Sequence, residues 1–297
     1  MSSGRFNIPT PTLGGRPFWS DCCFFRGWRI QKHVLSGHYR LLDPSDIRRA
    51  WGTLEECQQA LSGEKAARKL DPMSGTAVIT LHGILRSSKS WTDLEKVLQP
   101  DGYTFVSFDY PSTQRSISEF ADQLQELVAS LEGIERIHFV VHSMGGLIVR
   151  RWCQQYFDPR VQRLVMIGTP NSGAEIASML QKNLLFQVIF GPSGQELVAD
   201  PETFISTLPL PTMEFAVIAG AKGDPDGFNP LIPGDDDGIV TVQSARLPGA
   251  QDYLAVRSLH SFLPWHPEVM NATRRFLSTG ALRENGVREP IPVKGLI

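Results

Sequence analysis

From residue 76 onward the chain alternates two patterns of hydrophobic and polar positions. The first is a short continuous apolar run ending in turn residues: TAVITLHG (76–83), YTFVSFDYP (103–111), IHFVVHS (137–143), RLVMIGTP (163–170), MEFAVIAG (213–220) and DYLAVRSL (252–259). Such runs predict strands buried on both faces. The second pattern has a helical period. In SISEFADQLQELVASLEG (116–133), Ile117, Phe120, Leu124, Leu127, Val128 and Leu131 fall on one helix face. GLIVRRWCQQYF (146–157) and HPEVMNATRRFL (266–277) also predict helices, the second with Pro267 in its first turn. Buried strands alternating with helices predict an α/β fold, a mainly parallel central sheet with helices on both faces. Ligands bind such sheets beyond the carboxyl ends of the strands.

Before residue 76 the pattern differs. Residues 1–20 are rich in Gly, Pro, Ser and Thr and predict an extended arm. GWRIQKHVLSGHYRLLD (27–43) holds two β-type runs around Ser36-Gly37, a hairpin expected to supply early strands of the sheet. DPSDIRRAWGTLEECQQALSGEKAARKL (43–70) is polar and helix-prone, with an N-cap expected at Ser45 and a break at Gly63. Three regions follow: an N-terminal arm, hairpin and helical extension (1–75) packed on the main domain, a catalytic domain (76–280) and a C-terminal tail (281–297). Residues 174–212 are too few for an independent cap domain and are expected to lie over the site as helices and loops. Their apolar run LLFQVIF (184–190) is a candidate acyl-chain contact or lid, or a core helix.

The 297 residues are 41% hydrophobic and 20% charged, enough for one substantial core. A net charge of -2 gives no reason to expect nucleic acid or an anionic membrane surface as partner. No stretch approaches the ~18 apolar residues of a membrane span. The first residues lack the apolar centre of a signal peptide. Cys22, Cys23, Cys57 and Cys153 show no metal-ligand spacing and read as reduced thiols. The expectation is a soluble, cytoplasmic protein without stable membrane insertion, its oligomeric state left open.

The candidate chemistry centres on FVVHSMGGLIVRRW (139–152), a strand running through Ser143 into a helix. A serine hydroxyl needs a histidine to take its proton, an acid to hold that histidine, and N–H donors for the developing oxyanion. Ser143 sits where a helix N-terminus points free N–H groups, among them that of Met144. LHGIL (81–85), with a Gly after the first buried strand, offers a second donor. Among seven histidines, His260 lies in the loop after the last strand. It is preferred over His266, which abuts Pro267 and reads as a helix N-terminal residue. His142 is directed by strand alternation to the opposite face. The acid candidates are Asp235, Asp236 and Asp237, with Asp224 and Asp226 nearby. Three consecutive Asp residues lack the alternating spacing of a calcium loop.

Taken together, LHGI (81–84), HSMGG (142–146), GTPNSG (168–173), DGIV (237–240) and LH (259–260) resemble the α/β-hydrolase superfamily, and within it bacterial lipases and lipase-like carboxylesterases. The resemblance covers roughly residues 76–280. It implies the α/β-hydrolase fold, Ser143 as nucleophile, Asp237 as the acid and His260 as the base, in the chain order Ser, Asp, His. It also implies oxyanion N–H donors at Ile84 and Met144, and a turn at Thr169 and Pro170 that is either structural or substrate-lining. One departure is Val141, where the family's Gly-x-Ser-x-Gly elbow begins with Gly, though related lipases tolerate Ala. The first 75 residues are the other.

The implied activity is hydrolysis of carboxylic esters through an acyl-enzyme, with a small-molecule or lipid ester as substrate, medium-chain acyl esters included. No metal or organic cofactor is called for. The same side chains would serve an acyltransferase, an amidase or a thioesterase, and a non-catalytic binding protein on this scaffold is a further alternative.

Overall fold

The computed structural model describes residues 10–12, 18–173, 191–197 and 204–293. The apolar run 184–190 lies outside the described residues, as do the rest of 174–190 and residues 198–203.

The first part of the chain forms its own antiparallel sheet. Its strands are β1 (Thr10–Pro11), β2 (Trp19–Phe25), β3 (Trp28–His33), β4 (Tyr39–Leu42) and β5 (Ile47–Gly52), in the order β1-β5-β4-β3-β2. The hairpin around Ser36-Gly37 is β3–β4. It does not join the parallel sheet, contrary to expectation. Nor does the helix start at Ser45. Asp43 caps the turn at 43–47 with its own carboxylate, which accepts the N–H of Ser45 (2.9 Å) and of Ile47 (3.0 Å). That turn returns the chain as β5, whose Ala50 is buried. Helix α1 (Leu54–Ala67) begins only at a Thr53 N-cap with a reciprocal Glu56 bond, a capping box. Gly63 does not break it. Its missing side chain faces open space, so the helix bears only the usual glycine cost of about 1 kcal/mol.

A six-stranded parallel sheet follows: β6 (Thr76–Leu81), β7 (Thr104–Phe108), β8 (Arg136–His142), β9 (Val161–Ile167), β10 (Glu214–Ala221) and β11 (Asp252–Arg257), in the order β11-β10-β9-β8-β6-β7. Alternation sorts its side chains. Ile79, Leu81, Phe139, Val141 and Met166 face α3 (Ile117–Ala129) and α4 (Met144–Gln155). Val78, Val140, Val165 and Ile218 face α2 (Thr92–Leu98) and, past a short α5 (Val242–Ala245), α6 (Pro267–Thr279). Both faces are dry, as continuous apolar runs require. Among the described residues, no helix is long and apolar enough to cross a membrane.

The two sheets share a core. Phe24, Trp28, Ile30 and Leu41 from the first cluster with Phe120 and Leu124 of α3. A polar chain runs beside them. The Asp21 N–H donates to the Asp109 carbonyl (2.9 Å), and the Asp109 N–H returns to the Asp21 carboxylate (2.8 Å). Gln31 holds the other Asp21 oxygen at 2.7 Å and is itself held by Arg40 at 2.9 Å. Burial, with Asp109 adding to it and Arg29 opposing, pushes the Asp21 carboxyl up to about 6. At the far end, residues 281–293 return to β11, where buried Asp252 accepts Leu282 N–H (2.7 Å) and pairs with Arg283 (2.9 Å).

Two outcomes test this packing. Ile30→Ala should cost about 2–5 kcal/mol, the range for truncating a fully buried Ile. Denaturant unfolding followed by tryptophan fluorescence and circular dichroism should stay one coincident transition; two transitions would mean that the sheets fold independently. The second concerns His138 on β8, which burial, aided by Arg163 and Arg136, lowers to about 4. An unfolded histidine takes up its proton near 6.5, so the unfolded state binds more protons in between. This site contributes no pH dependence above about 6.5 and destabilises progressively down to about 4, by roughly 3 kcal/mol. His138→Gln should flatten stability against pH in that window, measured by urea unfolding.

Candidate active site

Ser143 stands between β8 and α4 with φ 54° and ψ -125°, a left-handed backbone that a non-glycine residue adopts at a cost of about 1–3 kcal/mol. The surroundings hold it there. Its N–H donates to the Ile167 carbonyl (2.9 Å), and its carbonyl accepts from Gly146 N–H (3.0 Å). Small residues make the corner possible. A side chain on Gly145 would come within 2.8 Å of the Leu81 carbonyl, and one on Gly146 would meet the Thr169 side chain and reach 2.9 Å from Met166. A side chain on Gly83 would lie 3.1 Å from the Ser143 Cβ, so the LHGI turn runs directly against the serine. Val141 needs no such allowance. It is a fully buried strand residue paired with Leu81 and Met166.

Two loops bring the partners. The chain leaves β11 into a short helix at His260–Trp265, where the His260 N–H donates to the Asp237 carbonyl (2.8 Å). The His260 Nδ1–H donates to Asp237 Oδ2 at 2.7 Å, and His260 Nε2 is 3.0 Å from Ser143 Oγ. With Nδ1 carrying the proton, Nε2 accepts the serine O–H. Asp237 Oδ1 is taken by the N–H groups of Ile239 (3.1 Å) and Val240 (2.8 Å), which fixes the carboxylate. Gly220 makes room, since a side chain there would come within 2.6 Å of the Asp237 Cβ.

The acid run divides its labour. Asp235 accepts the N–H groups of Lys222 (2.8 Å) and Gly223, and Asp236 accepts those of Asn229 (3.1 Å) and Gly238 (2.5 Å). Both therefore build the loop, while Asp237 alone of the three meets the histidine. Asp224 pairs with Lys222, and Asp226 donates its N–H to Asp224. His266 sits at the N-cap of α6, away from the serine. The Ile84 and Met144 N–H groups have no acceptor among the described residues; Met144 directly follows Ser143, and Ile84 directly follows Gly83, which faces the Ser143 Cβ. Thr169 and Asn171 pack into the structure: Thr169 against α4, and Asn171 with its carbonyl on buried Arg150 (3.1 Å) and its amide on the Ala245 carbonyl (2.8 Å).

Three supports escaped sequence reasoning. His142, the last residue of β8, packs against His260. Its ring centroid is 4.7 Å from that of His260, and its Nε2–H donates to the His260 carbonyl (3.1 Å). Burial, with the field of His260 second, holds His142 well below the usual histidine range. It therefore stays neutral beside His260. His82 locks the LHGI turn through Nδ1–H to the Gly83 carbonyl (2.8 Å) and stacks on Tyr110 (centroids 4.1 Å apart), whose hydroxyl donates to the His82 carbonyl. Asp109 accepts both the Ser88 N–H (2.8 Å) and its hydroxyl (2.7 Å), tying down the loop after Ile84. An acid at the carboxyl end of a buried run, as in FDYP, was the signal available for Asp109. Burial lifts the Cys57 and Cys153 thiols to about 12, so neither competes as a thiolate.

With the geometry in hand, comparison with known proteins is informative. Residues 76–189 match the family described as alpha/beta hydrolase fold. An uncharacterised protein of Mycobacterium tuberculosis is 27% identical over 133 residues, 42% of this chain and 37% of that one. A lysosomal thioesterase of Bos taurus is 25% identical over 196 residues, 55% of this chain and 64% of that one. In fold, the chain is similar to the propeptide form of a Bacillus licheniformis lipase, with TM-score 0.52 and 20% identity over 65% of this chain and 48% of that one. The matched segments thus span less than two thirds of these relatives' own length. The protein has the α/β-hydrolase fold and is related to the α/β-hydrolase superfamily.

The geometry at Val141 yields a prediction. Val141→Gly should not raise activity, because the corner already forms around Val. It should cost about 2–4 kcal/mol of stability, from lost packing and added chain freedom. Thermal unfolding and steady-state turnover measured together check this, and a large gain in turnover would show that Val141 obstructs the corner.

Proposed function

We propose that this chain is a serine hydrolase of carboxylic esters. The observation that carries the reading is the continuous array from Ser143 Oγ through His260 (3.0 Å) to Asp237 (2.7 Å), built on a left-handed serine at a helix N-terminus. The Ser143 proton passes to His260 Nε2 as Oγ bonds to the ester carbonyl carbon. Asp237 stabilises the resulting imidazolium. The Ile84 and Met144 N–H groups hold the oxyanion, aided by the positive end of α4. Collapse breaks the ester C–O bond, and the leaving alkoxide takes the proton from Nε2. Water then repeats the sequence on the acyl-serine, giving the acid and free Ser143.

Apolar residues near the array favour an acyl chain as part of the substrate: Leu85 is 56% exposed, Leu259 42% and Phe262 57%. A thioester is the second reading, favoured by the similarity to a lysosomal thioesterase. The chemistry is the same except that the leaving group is a thiolate.

Turnover of para-nitrophenyl esters of rising chain length tests the reading, beside a thioester and an anilide of the same acyl group. Ester hydrolysis is expected. Ser143→Ala and His260→Ala should each lower kcat about a thousandfold or more, and Asp237→Asn about a hundredfold or more. Turnover confined to the anilide would sink the proposal, and a clear preference for the thioester would select the second reading.

A further inference from the structure

A cavity of about 480 Å³ lies against the loop that follows Ile84. One wall is the loop that follows Ile84, with Arg86 and Lys89; another is the end of β7 and the turn after it, with Tyr110 and Ser112; a third is Trp265. Trp265 ends the same short helix that begins at His260. Leu85, the residue after Ile84, also lines the cavity, so it continues from the proposed oxyanion turn, while Ser143, Asp237 and His260 are not among its lining residues.

Its charge is one-sided. Neither Arg86 nor Lys89 forms an ion pair with a carboxylate among the described residues. The acid in the lining is Asp109, and its oxygens are already engaged by Ser88, with Arg29 at 3.8 Å on the side of the first sheet. Arg86 is also oriented. Its guanidinium carbon lies 5.4 Å from the centroid of the Trp265 ring. A cation–π approach at that distance steadies the guanidinium without using its N–H donors. The loop behind it is held in a defined form: Leu85 has φ 58°, and its N–H donates to Ser112 Oγ at 2.9 Å. The Ser112 hydroxyl donates to no acceptor among the described residues, so its proton is available to a ligand. A cleft lined by cations concentrates anions, and a guanidinium beside a hydroxyl suits the paired oxygens of a carboxylate or phosphate.

We propose that this cavity is a specificity subsite for an anionic oxygen group, so that the substrate class is esters carrying a carboxylate or phosphate away from the scissile bond. The proposal rests on the ester-hydrolase reading. Arg86 and Lys89 take no part in bond making or breaking; they hold the charged end of the substrate while Ser143 addresses its carbonyl.

Two matched pairs test it and separate the sources of charge. Para-nitrophenyl hemiglutarate against para-nitrophenyl pentanoate places the charge on the acyl side. Butanoylglycerol phosphate against butanoylglycerol places it on the alcohol side. The readout is the ratio of kcat/KM, charged over neutral, at low and at high salt. In at least one pair the ratio should exceed unity by about tenfold to a hundredfold, the range of a charged hydrogen bond. It should fall with salt, drop toward one in Arg86→Gln with Lys89→Gln, and be partly kept in Arg86→Lys. Hydrolysis of the neutral esters with a ratio near one in both pairs, or a ratio that the substitutions leave unchanged, overturns the subsite and leaves the ester reading standing. Turnover of no ester at all overturns both.

Discussion

The left-handed backbone of Ser143 is the constraint around which the remainder of the site is arranged. A residue with a side chain stays at φ 54° only where its neighbours forbid relaxation. Here the ladder bond to Ile167 fixes the end of β8, and the bond from Gly146 starts α4 one residue later. For those bonds to coexist, the helix must begin almost in contact with β6. That is why Gly145 faces the Leu81 carbonyl and Gly83 faces the serine. The requirement for small residues falls after the serine and across from it. It does not fall on Val141, whose side chain belongs to the core between the sheet and α4.

Everything else supplies partners to that corner. Asp235 and Asp236 spend their oxygens on the backbone of their own loop, and this leaves Asp237 aimed at His260. His142 packs against His260 while remaining neutral, so a proton on His260 meets no charge on that side chain. On the other side, the antiparallel sheet reaches the site indirectly. Asp21 grips the backbone of Asp109, and Asp109 grips Ser88 in the loop that follows Ile84. The N-terminal residues thus help hold the proposed oxyanion turn as well as share the core.

Much of this was legible in the sequence, for physical reasons that also mark the limits. Strands buried on both faces leave continuous apolar runs, so the six parallel strands stood out, and motifs at their carboxyl ends had to converge. Ser143, Asp237 and His260 do converge in the structure. The first 75 residues were harder. The strand Ile47–Gly52 does not read as a buried apolar run, with Arg48 and Arg49 half-buried and Trp51 exposed, and its entry turn rests on the Asp43 side chain, which resembles a helix cap in sequence. The helix start was written in Thr53 and Glu56, a capping box passed over in favour of Ser45. That the loop after β11 would set His260 against His142 is a tertiary fact beyond strand alternation.

The central claim is that Ser143 is a nucleophile activated through His260. Reaction of the folded protein with a fluorophosphonate, followed by mass spectrometry of the digested peptides, tests it most directly. The account predicts a stable adduct on Ser143 alone, and its loss in His260→Ala with the fold intact by circular dichroism. No adduct on the native protein, or one on another residue with Ser143 unmodified, would contradict it.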